Sequence, residues 1–455
     1  MRTLVKKLIP RNLFRQIEPY GHLGEAVFLN VINGFPSKGL KVIGVTGTNG
    51  KTSTSFLIHR MLHEAGYKVG LMTTVAYGVG ADIKPQVAHM TTVSVPTLMK
   101  RFKEFKAQGV EWVILETTSH ALAQHRVWGV PYSIAVMTNI THEHLDYHGT
   151  FERYVNAKRQ LFVQTNKNRG GQRIGVINAE DPSAALFAGA IKNPIMYGTG
   201  ENADLQATNI KLSPEGVSYT ATHGDRRYNI KCSLPGSFNV YNSLATIGVG
   251  EAVGLTPEQI EHGIAALEGV EGRMNRIDEG QDFSVIVDYA HTPDSFEKLF
   301  RDMKPVVKGK LIVLFGSAGR RDEEKRAVQG RLAGKYADEV IVTEEDDRDM
   351  DGQEIMDHIA AGAEEAGKKR DKDLFLVHDR AEAIQFAIDR AKKGDTVMLL
   401  GKGHEKDILR NGPKAAEMRH LQQDDHNPDR VIEIKWDELA TARKALKNRL
   451  KKKAR

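Results

Sequence analysis

A glycine-rich loop near the start of the sequence has the residue types of a phosphate-binding site. Residues 44–52 read GVTGTNGKT and lie between a short apolar, strand-like segment and a helix-like segment. In that setting the glycines let backbone N–H groups surround phosphate oxygens at the N-terminus of a helix. Lys51 would reach the outer phosphates, and the Thr52 hydroxyl would bind Mg²⁺. Val45 stands where the usual pattern has its first glycine, so an ordinary strand-to-helix turn is the alternative.

Other polar groups follow later strand-like segments. Glu116 ends the segment WVILE, where a carboxylate suits Mg²⁺, although helix capping is the alternative. Residues 142–148, which read HEHLDYH, contain three histidines and two acids after another apolar segment. Lys158 lies in a segment with helical spacing, near its apolar face, and a buried lysine usually has a special reason to be there. These patterns predict a site for phosphates and metal ions.

The sequence pattern around these residues predicts an α/β fold that would position them. Apolar strand-like runs alternate with helical stretches, which is typical of parallel sheets covered by helices. The predicted strands of the first sheet are residues 42–45, 113–115, 134–137 and 174–177. Short alternating segments over residues 203–231 predict a small antiparallel patch, and a helix follows at residues 239–253.

A second α/β series predicts a doubly wound, Rossmann-like unit with ligand groups at its strand ends. Its strands are residues 284–287, 311–315, 340–342, 374–377 and 396–400. The predicted domains are a short helical segment (1–40), a P-loop central domain (41–271), this Rossmann-like domain (272–436) and a basic helical tail (437–455), with a hinge at residues 269–273.

The composition is that of a soluble protein without disulfides or membrane spans. The 455 residues carry a net charge of +6, and 40% of them are apolar, as in ordinary soluble proteins. The single cysteine, Cys232, excludes an internal disulfide and fits the cytoplasm. No apolar run is long enough to span a bilayer. Residues 443–455 hold eight basic residues and no acid, without interleaved aromatic residues, so we expect a solvated, fraying helix end rather than a nucleic-acid site.

The basic, amphipathic N-terminus allows two interpretations. It is either a helix packed on the next domain or a segment that lies on an anionic membrane surface. An anionic small substrate fits the overall charge better than a polynucleotide does. We therefore expect small-molecule substrates, no nucleic-acid partner and a monomer.

Taken together, the motifs resemble the Mur ligases, and within that family the tripeptide-synthetase branch, which adds the third residue of the peptidoglycan stem peptide. The resemblance covers about four fifths of the chain, from Val42 to Glu405. It is carried by residues 46–52 (TGTNGKT), 116–122 (ETTSHAL), 124–126 (QHR), 144–149 (HLDYHG), 157–158 (AK), 239–242 (NVYN), 272–274 (GRM), 288–294 (DYAHTPD) and 401–405 (GKGHE).

The resemblance implies that ATP phosphorylates an acceptor carboxylate and that an amine then attacks the acyl phosphate. In the family pattern Lys51, Glu116, His144 and Lys158 are catalytic, and two Mg²⁺ sites are held by Thr52, Glu116, His144 and Lys158, the last as a carbamate. The implied ATP contacts are Gly47, Thr48, Asn49, Gly50, Lys51, Thr52, Asn139, Asn239, Asn242, Arg273, Asp288, His291 and Lys325. The implied substrate contacts are Thr91, Thr92, Thr118, Ser119, Gln124, Arg126, Arg348, Gly401 and Glu405.

Two departures from the family pattern keep alternatives open. About forty residues precede the loop, too few for the family's N-terminal domain that holds the uridine diphosphate end of the acceptor. The amine-specificity motif Asp-Asn-Pro-Arg is replaced by EDDR at residues 345–348, which favours diaminopimelate or lysine as the amine. The alternatives are a related ligase with another acceptor (a non-uridine cell-wall precursor, a folate-like compound or a polyamide) and a nucleotide-binding regulator without catalysis.

Overall fold

The computed structural model describes residues 11–86, 90–213, 215–320, 323–418 and 428–453. They divide into two compact units. The central unit consists of residues up to Lys211 together with Val217–Ser233 and Ser237–Glu268. The C-terminal unit consists of Leu212–Gly216, Leu234–Gly236 and the chain from Gly269 onward.

The central unit is built on one sheet of eleven strands in the order β11-β10-β9-β8-β7-β6-β1-β5-β2-β3-β4. The strands are β1 (Lys41–Thr46), β2 (Val69–Met72), β3 (Ala76–Val79), β4 (Asp82–Pro85), β5 (Trp112–Glu116), β6 (Tyr132–Met137), β7 (Ile174–Asn178), β8 (Asn193–Gly198), β9 (Leu205–Ser213), β10 (Gly216–His223) and β11 (Arg226–Cys232). Pairing is parallel from β2 to β9. The β10–β11 pair and the β2–β3–β4 edge are antiparallel. The predicted antiparallel patch is therefore a continuation of the main sheet.

Helices cover both faces of this sheet, which is why β1, β5 and β6 read as continuous apolar runs. The helices are α1 (Arg11–Ile32), α2 (Lys51–Glu64), α3 (Val95–Ala107), α4 (Ser119–Ala123), α5 (Leu145–His148), α6 (Phe151–Lys167), α7 (Ala184–Ala188), α8 (Phe238–Val253) and α9 (Pro257–Ala265). Helix α2 begins directly after Gly50, so its N-terminus lies at the phosphate loop. This arrangement confirms the predicted α/β fold.

The C-terminal unit has a six-stranded sheet in the order β12-β13-β17-β14-β15-β16. Its strands are β12 (Asn275–Ile277), β13 (Ser284–Asp288), β14 (Leu311–Phe315), β15 (Glu339–Val342), β16 (Leu374–Leu376) and β17 (Thr396–Leu400), and a separate hairpin is formed by β18 (Asp407–Asn411) and β19 (Val431–Lys435). All pairings in the six-stranded sheet are parallel except β12–β13. The carboxyl ends of β13, β14, β15 and β17 therefore meet at one edge.

The helices of the C-terminal unit include the end of the described chain. They are α10 (Pro293–Met303), α11 (Glu324–Tyr336), α12 (Gly352–Glu365), α13 (Arg380–Arg390), α14 (Ala415–Met418) and α15 (Glu438–Lys453). Ala442 and Leu446 of α15 are fully buried, and the guanidinium of Arg449 donates to the carbonyl oxygens of Ile388 and Ala391. The helix continues to Lys453, so the expected fraying is wrong for residues 443–453. Arg449 is buried, whereas the other basic side chains whose burial is described (Arg443, Lys444, Lys447, Lys451 and Lys452) are exposed, as expected.

The N-terminal helix α1 packs on the central unit. Ala26 is buried, and the Asn30 side-chain amide donates to the Trp128 carbonyl at 3.1 Å. Across the described part of the chain, none of the helices combines the length and apolar character needed to cross a bilayer.

Candidate active site

The phosphate loop connects β1 to α2, and two of its glycines are required by geometry. Gly47 and Gly50 have φ angles of 149° and 84°, in the region that other residues rarely adopt. A Cβ atom at Gly50 would lie 2.4 Å from the Asn242 side-chain oxygen, and one at Gly47 would lie 1.9 Å from the Thr138 hydroxyl. The backbone of the loop is therefore held close to both β6 and α8.

The segment after β6 fixes the shape of the loop through hydrogen bonds. The Thr48 N–H donates to the Asn139 carbonyl at 2.7 Å, and the Asn49 N–H donates to the Asn139 side-chain oxygen at 3.0 Å. The Thr138 hydroxyl donates to the Asn49 carbonyl at 2.6 Å. Asn139 thus stabilises the loop by accepting hydrogen bonds from two of its N–H groups. A direct contact between Asn139 and ATP stays a prediction.

Two lysines converge on the same turn of this loop. The Lys51 ammonium donates to the carbonyl oxygens of Gly47 (3.0 Å) and Thr48 (2.7 Å). The Lys158 side-chain nitrogen, from α6, donates to the Gly47 carbonyl at 2.6 Å and is 2% exposed. Burial, together with the neighbouring charge of Lys51, holds the pKa of Lys158 well below its usual range. Lys158 is therefore an amine that loses its proton easily.

Glu116, at the end of β5, lies beside the first turn of α2. The Thr52 hydroxyl is 3.1 and 3.2 Å from its two carboxylate oxygens. Thr74, just after β2, donates its backbone N–H to Glu116 at 3.0 Å and places its hydroxyl 3.1 Å away. Among the residues that the structure describes, this buried carboxylate (1% exposed) has hydroxyl and N–H partners but no ion-pair partner. A buried carboxylate without a cation fits a hard cation such as Mg²⁺.

The threonines predicted to contact the acceptor lie beside this carboxylate. The Thr91 and Thr74 hydroxyls lie 2.9 Å apart, within hydrogen-bond distance. The Thr92 hydroxyl lies 2.9 Å from the Glu116 carbonyl and 3.2 Å from the Thr118 hydroxyl. The structure therefore brings Thr91, Thr92 and Thr118 into one hydrogen-bonded group.

The buried Arg126 holds the segment around Thr92 by hydrogen bonds. Its guanidinium donates to the Thr92 and Val93 carbonyls and, at 2.9 Å, to the Gln124 side-chain oxygen. Burial lowers the pKa of Arg126 to about 10. Arg126 is 4% exposed, so in this conformation it positions the Thr92 loop, and its predicted contact with the acceptor stays a prediction.

The histidine-rich segment after β6 forms an aromatic cluster. His144 has a φ of 56° and its ring centroid is 4.7 Å from that of His120. The His148 ring nitrogen lies 3.0 Å from the Ser119 hydroxyl, so Ser119 is engaged within the protein. Glu143 lies 3.7 Å from the His144 ring nitrogen and 3.4 Å from the Tyr154 hydroxyl, which in turn lies 2.9 Å from the Thr48 hydroxyl. A chain of polar contacts therefore joins His144 to the phosphate loop.

Asn239 and Asn242 lie in the first turn of α8. Asn242 donates to the Asn239 side-chain oxygen at 2.8 Å, and its own side-chain oxygen accepts from the Thr54 hydroxyl of α2 at 3.2 Å. Both asparagines are nearly fully buried. They couple α8 to the helix that follows the phosphate loop.

In the C-terminal unit, the predicted nucleotide residues gather at the end of β13. The Asp288 carboxylate accepts from the N–H groups of Met274 (2.7 Å) and Ala290 (2.8 Å), and burial raises its pKa. The guanidinium of Arg273 lies 4.7 Å from the Tyr289 ring centroid. The His291 side chain contacts the Tyr289 carbonyl at 2.8 Å, and the Lys325 ammonium donates to the His291 carbonyl at 3.3 Å.

A charged group follows the ends of β15 and β17. The buried Lys402 ammonium pairs with Asp346 at 2.9 Å and with Glu405 at 2.8 Å. Gly401 has a φ of 100°, and a Cβ atom there would lie 2.7 Å from an oxygen of Glu345. That oxygen is buried without a hydrogen-bond partner among the described residues, and burial raises the pKa of Glu345 to about 7. Arg348 has a φ of 58° and donates its backbone N–H to the Leu409 carbonyl at 2.9 Å.

One group of three possible metal ligands occurs in the described part of the chain, and it is not the predicted one. It consists of Glu344, Asp347 and His378. Arg410 pairs with Glu344, and His378 lies 2.7 Å from Asp347, so protein groups already engage both carboxylates. The predicted pair of Mg²⁺ sites therefore stays a prediction.

Sequence reasoning missed Thr74, Glu143 and Lys402 as members of these sites. Thr74 follows β2, a short strand that the sequence analysis did not identify. The rule that polar residues collect at the carboxyl ends of parallel strands would have found it. Lys402 lies within a recognised motif, but its role depends on Asp346, which is distant in sequence.

The two units match two family models. The Mur ligase middle domain matches residues 45–250, and the Mur ligase, glutamate ligase domain matches residues 272–403. A UDP-N-acetylmuramyl-tripeptide synthetase from Roseiflexus sp. (strain RS-1) is 38% identical over 91% of this chain and 80% of the relative. The chain belongs to the Mur ligase family. A UDP-N-acetylmuramoyl-L-alanyl-D-glutamate–2,6-diaminopimelate ligase from Geobacillus thermodenitrificans is 39% identical over 86% of this Mur ligase and 79% of the relative.

Solved structures agree with this assignment. A UDP-N-acetylmuramoyl-L-alanyl-D-glutamate–2,6-diaminopimelate ligase is 28% identical with a TM-score of 0.65, and the match covers 96% of this chain and 83% of the other. Mycobacterium tuberculosis folylpolyglutamate synthase shares the fold at a TM-score of 0.66 but is only 15% identical, over 83% of this chain and 92% of the other. This Mur ligase is an ATP-dependent ligase of a family that uses Mg²⁺ and small-molecule substrates.

Proposed function

We propose that this Mur ligase adds a diamino acid, diaminopimelate or lysine, to the D-glutamate carboxylate of UDP-N-acetylmuramoyl-dipeptide in peptidoglycan precursor synthesis. The observation that carries the proposal is that Lys51 and Lys158 converge on the Gly47 carbonyl of the phosphate loop, while Thr52, directly after the loop, contacts the buried Glu116 carboxylate. The curated relatives that are 38 and 39% identical bear names for this reaction. Their names and this site support the same chemistry.

The chemistry requires positive charge around the transferred phosphoryl group. A carboxylate is a poor electrophile, so it must first become an acyl phosphate, and two anions must approach each other for that transfer. Lys51 already lies along the loop and would move from the Gly47 and Thr48 carbonyls to the outer phosphates. The loop N–H groups at the start of α2 would hold the remaining phosphate oxygens.

Thr52 and Glu116 would hold the first Mg²⁺, and His144 a second. When bound, Mg²⁺ would neutralise phosphate charge and orient the reacting oxygens. Thr74 would keep the Glu116 carboxylate facing Thr52 through its two hydrogen bonds. The lack of an ion-pair partner for Glu116 among the described residues supports this role.

Lys158 would act as an anion rather than as a cation. Its lowered pKa favours the neutral amine, which is the form that can add CO₂ with release of one proton. The resulting carbamate would supply an anionic ligand beside the loop and beside Tyr154, whose ring centroid lies 4.6 Å from the Lys158 nitrogen.

The amine substrate would lie at the strand ends of the C-terminal unit, near Arg348, Gly401 and Glu405. Lys402 forms ion pairs with Asp346 and Glu405. Among the described residues, one carboxylate oxygen of the neighbouring Glu345 has no hydrogen-bond partner. A side-chain ammonium would satisfy that oxygen. This supports a diamino acid over a neutral monoamino acid.

The test is phosphate release from ATP by the purified full chain. UDP-N-acetylmuramoyl-dipeptide and its UDP-free and sugar-free analogues should each be combined with diaminopimelate, lysine and alanine. We expect release with the UDP-linked acceptor and a diamino acid. Release only with acceptors that lack UDP, or equal turnover with alanine, would contradict the proposal.

A further inference from the structure

The described solvent face of helix α1 and the residues directly after it, up to Phe35, carry no charge. Between Tyr20 and Phe35, the exposed residues are all aromatic, aliphatic or glycine. They are Tyr20, Gly21, Gly24, Phe28, Val31, Ile32, Gly34 and Phe35. Four of them are far from buried, with exposures of 71% (Tyr20), 63% (Phe28), 59% (Val31) and 59% (Ile32). We call this set the α1 apolar face.

This face is opposite to the one expected of a surface helix. A helix on a soluble domain normally turns its charged residues to water and its apolar residues inward. Helix α1 does turn Ala26, Leu29 and the polar Asn30 toward the core of the central unit, but it also exposes large apolar side chains to solvent. Its acids, Glu18 and Glu25, lie together on one flank around His22. The exposed aromatic and aliphatic side chains therefore need another explanation.

The sequence that contains the α1 apolar face is strongly basic. Residues 1–41 contain seven Lys and Arg residues and two Glu residues, a balance of +5 out of the chain's +6. Five of the basic residues precede Glu18, and no acid does. At the other end, Lys38 and Lys41 are exposed, and the exposed Lys106 of α3 donates to the Lys38 carbonyl at 3.0 Å.

We propose that the α1 apolar face docks on the surface of an anionic phospholipid bilayer. An apolar helical face bordered by basic residues is the arrangement that lies in the plane of a membrane interface. Phe28, Val31 and Ile32 would enter the acyl boundary, and Tyr20 would lie at the headgroup level, where aromatic residues with a polar tip are favoured. The exposed Lys38, Lys41 and Lys106 would contact lipid phosphates, each strengthening attachment modestly.

A protein partner of ordinary composition fits these observations less well. Protein interfaces gain specificity from polar groups around an apolar centre, and the exposed part of this face offers no side-chain hydrogen-bonding group except the Tyr20 hydroxyl. A bilayer needs no such specificity. The excess of basic residues in residues 1–41 matches a uniformly anionic surface.

The test is flotation of the full chain with lipid vesicles. The wild type should float with mixed phosphatidylglycerol–phosphatidylcholine vesicles, less with pure phosphatidylcholine, and less at high salt because salt screens the charges. Phe28→Glu with Ile32→Glu should lower the bound fraction about tenfold. The matched control is Leu186→Glu with Ile210→Glu, since these exposed apolar residues of the central unit (43% and 39%) lie outside the face. The control should float like the wild type.

A second readout separates lipid insertion from self-association. A Phe28→Trp variant should show a blue-shifted emission with anionic vesicles if the side chain enters the bilayer. Sedimentation velocity should show that the double glutamate variant and the wild type have the same mass without lipid. A wild-type dimer that the glutamates dissociate, together with no vesicle binding, would overturn the proposal in favour of a second copy. Equal flotation of the wild type and the double glutamate variant would overturn it as well.

Discussion

The side-chain nitrogen of Lys158 lies 2.6 Å from the carbonyl oxygen of Gly47, although the two residues are 111 positions apart in sequence. Gly47 also accepts from Lys51, so two basic groups share one carbonyl oxygen at the start of the phosphate loop. Two full positive charges cannot be held so close in a buried site without cost. Burial and the neighbouring charge of Lys51 lower the pKa of Lys158 and so favour its neutral form.

Lys158→Ala should abolish most of the ATP-dependent ligation. We expect phosphate release to fall about 100-fold or more, because the group beside the transferred phosphoryl is lost. A short carboxylic acid in the buffer should restore part of the activity if a carbamate is the working form. Lys167→Ala, at an exposed position of the same helix, is the control and should be fully active. An active Lys158→Ala enzyme would exclude the carbamate.

Gly50→Ala should weaken nucleotide binding much more than Gly66→Ala does. Both glycines have positive φ angles, 84° and 92°, so alanine costs about 1–2 kcal/mol of backbone strain at either position. Only at Gly50 does the added methyl group collide with Asn242, while Gly66 has open space around it. Titration with a non-hydrolysable ATP analogue should show the difference. Equal affinities in the two variants would mean that the loop can shift away from α8.

Thr74→Val should raise the Mg²⁺ concentration that gives half-maximal activity. The substitution removes the hydroxyl that lies 3.1 Å from Glu116, while the backbone N–H bond stays. The loss of one hydrogen bond to a charged group, about 1.5–3 kcal/mol, corresponds to roughly a 10- to 150-fold change. Thr74→Ser keeps the hydroxyl and should behave like the wild type. If serine and valine behave alike, Thr74 contributes only by packing.

Glu345→Gln should change how stability depends on pH. Burial raises the pKa of Glu345 from 4.5 to about 7, so the folded protein holds a proton that the unfolded chain releases. The free energy of unfolding of the wild type therefore falls as pH rises from about 4.5 to 7. The variant should lack this fall and gain up to about 3 kcal/mol relative to the wild type by pH 7.5. Denaturant unfolding at several pH values measures it, with the exposed Glu201→Gln as the control; a constant difference across pH would contradict the prediction.

The sequence predicted the sheets well because buried parallel strands are apolar along their whole length. The strands β1, β5, β6 and β7 and all five main strands of the C-terminal unit lie where the pattern indicated. The strands β2, β3 and β4 at one end of the sheet were missed, and each is only four residues long. Apolarity does not mark β4, which is largely exposed, or β3, which alternates between buried and partly exposed residues. Thr74 was missed with them.

The sequence predicted residue types at the site better than it predicted their partners. The motif containing Arg126 was recognised, but its burial against the Thr92 carbonyl depends on a contact 34 positions away. The expectation for the tail failed at one residue for a similar reason. Its basic composition predicts exposed side chains, but the Arg449 guanidinium donates to two carbonyl oxygens at the end of α13. The spacing of residues within one segment does not predict hydrogen bonds to residues that are distant in sequence.

The C-terminal helix α15 connects the end of the chain to the loops that would receive the amine. Glu438 in its first turn pairs with Arg380 at 2.6 Å, and neither side chain is exposed. The same Arg380 donates to the carbonyl oxygens of Glu344 (3.0 Å) and Leu400 (2.7 Å), which directly precede Glu345 and Gly401. Cutting the chain before Glu438 would leave an uncompensated buried guanidinium beneath both loops. Truncated forms of this ligase should therefore lose selectivity for the amine before they lose the ability to bind ATP.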